Sequence, residues 1–87
     1  MEQLLDVSEL EPCEPLQRTL TAIDRLGRGD YLRVVHRREP HLLYPLLEKS
    51  GIRWHTRSAG DASFEILIWR QDDAAAEQQV QDYLRAC

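Results

Sequence analysis

The sequence predicts an α/β domain, an α+β two-layer sandwich built on one four-stranded mixed sheet. Three observations carry that prediction. The chain has 87 residues, enough for one domain with a thin core. Its apolar residues switch between the period of two that marks a strand and the period near 3.6 that marks a helix, in the order β-α-β-α-β-β-α. Prolines and glycines fall at the joints between these segments rather than inside them.

Leu4–Val7 (LLDV) reads as a short first strand. Glu11-Pro12-Cys13-Glu14-Pro15 ends it, because two prolines three apart cannot sit in a ladder and stiffen the approach to a helix. Pro15 suits the first helical position, where a missing N–H is no loss. Leu16, Leu20, Ile23 and Leu26 then share one face of a helix over Pro15–Leu26, which Gly27 and Gly29 stop. Asp30–His36 is a second strand, with Leu32 and Val34 on one face and Tyr31, Arg33 and Val35 on the other. After the polar connector Arg37–Pro40, a helix over Leu42–Lys49 presents Leu42, Leu43, Leu46 and Leu47. Pro45 confines the start of that helix to its first turn, and Gly51 stops it.

Ile52–Ser58 and Ser63–Arg70 both alternate and are joined by Ala59-Gly60-Asp61-Ala62, so they form a hairpin. The third helix, Asp72–Ala86, is capped by Asp72 or Asp73 and has Ala76, Val80, Tyr83 and Leu84 on its apolar face. Residues 1–70 then make the domain and residues 71–87 a helical extension. One sheet face carries Arg33, Arg53, His55 and Arg57, which favours helices on the other side only. The third helix packs on its own sheet or pairs with a second copy, so the chain is expected as a monomer or a weak homodimer.

Net charge is −4, from 15 acidic and 11 basic residues. That sign disfavours nucleic acid and anionic membranes as partners. MEQLLDVSEL has neither a basic n-region nor an apolar run, so no secretory signal is expected, and the longest apolar runs are far short of a membrane span. A cytoplasmic location follows, with Cys13 and Cys87 reduced. There is no phosphate-cradling glycine loop and no Ser/His/Asp or paired-carboxylate arrangement, so no cofactor is expected.

Cys13 is the first residue that could carry chemistry. A cysteine just ahead of a helix lies near the positive end of the dipole, which favours the thiolate; Glu11 and Glu14 oppose it. His36, His41 and His55, with Glu39 and Cys13, are possible metal ligands by type. They lack the paired spacing of a metal motif, and no metal site is assigned. Arg33, Arg53, His55 and Arg57 beside Tyr31 and Trp69 form a basic, aromatic sheet face of the kind that stacks on RNA.

Leu5-Asp6-Val7-Ser8-Glu9-Leu10, the proline-cysteine turn, an apolar helix and then Gly29-Asp30-Tyr31-Leu32-Arg33-Val34 resemble the TusA/SirA family of small sulfur carriers. The resemblance is closer to an uncharacterised sister family, a domain of unknown function. That family has a Pro-Pro-Glu-Pro-Leu-type motif and a stretch like His36–Leu47 (HRREPHLLYPLL) followed by Gly51-Ile52-Arg53. It spans about Leu4–Trp69 and implies a β-α-β-α-β-β TusA-like core with an extra C-terminal helix. Aligned on Pro15, the sulfur carrier's persulfide cysteine falls on Pro12 and its first proline on Cys13, so the two are swapped.

The resulting functional reading is a small non-enzymatic binding or adaptor domain for a protein partner or small ligand. Its surface lies around the Pro12–Pro15 turn and the start of helix two, with Pro12, Glu14, Pro15, His36, Glu39, His41 and Tyr44 as candidate binding residues. The alternative is a thiol or persulfide carrier, a sulfurtransferase-like relay, with Cys13 as the reacting residue. RNA binding through the basic sheet face is a third reading.

Overall fold

Strands and helices occur in the predicted order. The computed structural model of the chain describes residues 1–9, 14–60 and 63–86. It contains β1 (Glu2–Asp6), α1 (Glu14–Asp24), β2 (Tyr31–His36), α2 (Leu43–Lys49), β3 (Ile52–Ser58), β4 (Phe64–Arg70) and α3 (Ala74–Ala86). The sheet order is β1-β2-β4-β3. Strand β1 runs parallel to β2 through the α1 crossover. The other two pairings are antiparallel, and β3 and β4 form the predicted hairpin.

Alternation sorts the strand side chains onto two faces. On one, Leu32, Val34, Ile52, Ile66 and Ile68 pack against Ile23 of α1 and Leu43 and Leu47 of α2. Burying each such side chain contributes about 1.5–3 kcal/mol relative to leaving it exposed. This is the two-layer core. On the other face, Tyr31, Leu67 and Trp69 meet Ala76 and Val80 of α3. The third helix therefore packs on its own sheet, on the face that carries Arg33, Arg53, His55 and Arg57, adding a third layer. Its cause lies in β4, whose alternation places Leu67 and Trp69 opposite Ile66 and Ile68. Residues 65–69 are consequently all buried.

Two differences from the predicted elements matter. Strand β1 starts at Glu2 rather than Leu4, and Val7 follows it, fully buried, with its N–H donated to the Val35 carbonyl at 2.9 Å. The buried stripe of α1 is Pro15, Thr19 and Ile23, with Leu16 and Leu20 half-buried. Thr19 can be buried because its hydroxyl donates to the Pro15 carbonyl at 2.7 Å.

Helix ends are closed by long-range bonds. The Asp73 carboxylate caps α3, accepting the Ala76 N–H at 3.0 Å, and it also accepts the Gly29 N–H at 2.6 Å. Arg70 donates to the carbonyl of Ile23, in the last turn of α1, at 3.2 Å and to that of Leu26 just beyond it. Gly51, at φ +68°, makes the reversal between α2 and β3. Among the described residues, no helix is long and apolar enough to cross a membrane.

Candidate functional site

A cleft of about 550 Å³ opens on the α1–α2 side, between the first turn of α1 and the segment from His36 to Leu43. Its walls are mainly apolar: Pro15 and Leu16 on one side, Pro40, Leu42 and Leu43 on the other. His36, Arg38, Glu39 and His41 supply its polar groups. Leu42 is 80% exposed, an apolar side chain held at the mouth. An open apolar cleft with a few polar groups is the usual form of a binding site.

His36 ends β2, and its Nδ1 accepts the Arg38 N–H at 3.0 Å. That bond requires the neutral ring with its proton on Nε2. Burial pushes the His36 pKa down, and the neighbouring Arg38 guanidinium pushes it further the same way. At neutral pH the cleft therefore carries an uncharged imidazole beside the exposed Arg38. Glu39 accepts a bond from the Tyr44 hydroxyl at 3.1 Å and lies 3.8 Å from His41 Nε2.

Tyr44 fastens this segment to the sheet. Its ring stacks on Trp54 with centroids 5.2 Å apart and planes 4° apart, while His41 meets it edge-on at 6.1 Å. With its proton given to Glu39, the Tyr44 hydroxyl accepts from Thr56 Oγ1 at 2.6 Å. Tyr44 thus positions the cleft wall rather than lining the cleft.

Of the residues singled out from the sequence, the cleft brings Pro15, His36, Glu39 and His41 together. Glu14 begins α1, is exposed and pairs with Arg18 at 3.8 Å, one turn along its own helix. Pro12 and Cys13 lie outside the described residues. No group of three or more His, Cys, Asp or Glu among the described residues is placed to hold a metal ion.

Sequence reasoning missed Leu16, Arg38 and Leu42 as lining residues. It placed Leu42 and Leu46 on the apolar stripe of the second helix, and they are 80% and 38% exposed. Helix α2 has only seven residues and buries Leu43 and Leu47 alone, one turn apart.

The opposite face carries a polar network beside the α3 contact. Glu65, only 5% exposed, accepts from Arg33 at 3.1 Å, Arg57 at 2.6 Å and the Tyr83 hydroxyl at 2.6 Å. Arg33 also donates to Glu2 at 3.0 Å, and the Tyr31 hydroxyl reaches the same carboxylate at 2.8 Å. Both guanidinium groups lie over the Tyr83 ring, 5.7 and 5.1 Å from its centre. Burial pushes the Glu65 carboxyl up, but Tyr83, Arg57 and Arg33 outweigh it and hold the group below its ordinary value. Two of the four basic side chains read as an RNA surface are therefore matched to carboxylates inside the protein, leaving Arg53 and His55 as the exposed members of that set.

No curated protein and no solved structure matches the chain. One family model does, over residues 4–70, which begins within β1, ends with β4 and includes both walls of the cleft. The chain belongs to that family, described as an uncharacterized conserved protein, DUF2249.

Proposed function

We propose that the protein is a small non-enzymatic binding module whose ligand site is the cleft between α1 and the His36–Leu43 segment. Its ligand presents an apolar group to Leu16 and Leu42 and a negative charge to Arg38, either as a small molecule or as a side-chain cluster of a protein partner. The observation that carries this reading is Leu42, kept 80% exposed on the rim of a mainly apolar cleft in a domain with little apolar area to spare. Anilinonaphthalene sulfonate, which joins apolar rings to an anion, tests it. Saturable binding that weakens about tenfold or more in Leu42→Glu, with no change in fold by circular dichroism, is expected. Binding that is unsaturable, or equal in the variant, would overturn the reading.

A second reading is a thiol or persulfide relay through Cys13, with kinship to the TusA/SirA sulfur carriers. Its support is position in the chain: Cys13 immediately precedes the first residue of α1, and Pro15 two residues later is part of the cleft wall. The swap of Pro12 and Cys13 relative to the sulfur-carrier motif weighs against it. Intact mass after incubation with a cysteine desulfurase, its cofactor and cysteine separates the two. One added sulfur on the wild type and none on Cys13→Ser favours the relay.

A further inference from the structure

The two edges of the sheet carry opposite charge at matched spacing. Flanking hydrogen bonds fix which backbone groups face outward. Tyr31 donates to the Met1 carbonyl and Val7 donates to Val35, so the odd residues of β1 bond to β2 and the amides and carbonyls of Glu2, Leu4 and Asp6 point to the open edge. Likewise Gln71 donates to Gly51 and Ala59 donates to Ser63, so the backbone groups of Ile52, Trp54, Thr56 and Ser58 face outward from β3. No hydrogen bond among the described residues covers either row. Open grooves border both, one between β1 and α1 and one beside Arg53, Trp54 and His55. Unpaired edges of this kind are templates for strand addition.

On the α3 side of the sheet, β1 shows Glu2, Leu4 and Asp6, and β3 shows Arg53, His55 and Arg57. We propose that the protein associates head to tail with copies of itself, the open edge of β1 on one copy adding in parallel to the open edge of β3 on the next. Parallel pairing keeps the α3 faces of the two copies on one side. It sets Glu2 opposite Arg53, Leu4 opposite His55 and Asp6 opposite Arg57, while Leu4 donates to Trp54 and accepts from Thr56 of the neighbour. Antiparallel pairing would set the same acids beside Ile52, Trp54 and Thr56, on the face turned toward α2, where no cation answers them.

Leu4 and Arg53 are the available components of this contact, whereas Arg57 is held by Glu65 and Asp6 accepts from Ser8. Leu4 is 59% exposed, and Arg53 makes no hydrogen bond or ion pair to another described residue. The Glu2 carboxylate already binds Tyr31 and Arg33 but retains acceptor capacity. Because β1 and β3 point the same way in the sheet, each copy follows the last by translation and the sheet's own twist, so the assembly is an open chain rather than a closed dimer.

Sedimentation of the full chain, from micromolar to millimolar concentration at low salt, reads the outcome. The wild type should rise above its 10.2 kDa monomer mass with concentration and fall back in high salt. Leu4→Arg, which blocks only the β1 edge, and Arg53→Glu, which blocks only the β3 edge, should each remain monomeric. Mixed one to one, they should form a dimer and stop there, because each brings one intact edge. A wild type that stays at 10.2 kDa throughout overturns the proposal. So does association that survives either substitution, or a mixture that remains monomeric.

Discussion

The α1–α2 face and the α3 face of the same sheet are held by different physics. The first is mainly aliphatic side chains against two helices, with no fully buried charge among the described residues, and it opens at one end into the cleft. The second has a smaller apolar patch around Leu67 and Trp69 and, beside it, a network in which Glu65 serves two arginines and a tyrosine. An apolar layer can be left incomplete at its margin, because a missing contact forfeits only dispersion and burial there. A buried charged network has no such freedom, since each unpaired member carries a desolvation penalty. On this contrast, the proposed ligand site lies at the margin of the aliphatic face, while the Glu65 network ties α3 to the sheet.

Breaking the aliphatic face should have the largest effect. Ile66 is fully buried between β2 and β3, and Ile66→Ala is expected to destabilise by about 3–5 kcal/mol in denaturant unfolding. An effect under about 1 kcal/mol would show that the core is not where the fold's stability lies.

Breaking the polar face comes next. Glu65→Gln leaves two arginines facing an amide, for a loss of about 2–3 kcal/mol, reduced from a fully buried case because both guanidinium groups are about a quarter exposed. The same carboxyl gives the comparison a pH signature. Its pKa is lower in the folded protein than in the unfolded chain, so the unfolded state binds the proton first. Its stabilisation is present above about pH 4.5 and is lost as pH falls through the lower folded value. Unfolding curves from pH 7 to 3 should show that loss in the wild type and a shallower one in Glu65→Gln. Parallel curves would mean the network contributes no net stability.

The smallest effect on stability belongs to the cleft. Leu42→Glu should change unfolding free energy by no more than about 0.5 kcal/mol, because Leu42 is 80% exposed. Binding should instead change on acidification, because protonation of His36 breaks its bond to the Arg38 N–H and adds a positive charge to the cleft. A His36 pKa below the ordinary value of about 6.5 means the ring is neutral at pH 7; once protonated, Nδ1 can no longer accept the Arg38 N–H. Anilinonaphthalene sulfonate affinity that is unchanged well below pH 6 would show that this bond does not shape the site.

Element order and the hairpin were legible because each segment's period and stop signals agreed. The location of α3 was not, although its signal was present. Arg33, Arg53, His55 and Arg57 read as a solvated face, while Leu67 and Trp69 on that face needed cover; the arginines proved compatible with it because Glu65, an apparent surface residue, lies among them. Thr19 was likewise passed over as a core residue, since its satisfying bond is to a carbonyl one turn back and leaves no trace in apolar periodicity. At the cleft, Pro15, His36, Glu39 and His41 were legible as one surface, whereas the exposure of Leu42 depended on how short α2 is.

The most direct measurement is an amide NMR titration of the full chain with anilinonaphthalene sulfonate. Binding in the cleft should concentrate shifts at Leu16, Gln17 and Arg38 to Leu43, omitting Pro40, and leave Glu65, Val80 and Tyr83 unmoved. Shifts centred on β4 and α3, or spread evenly over the chain, would contradict it.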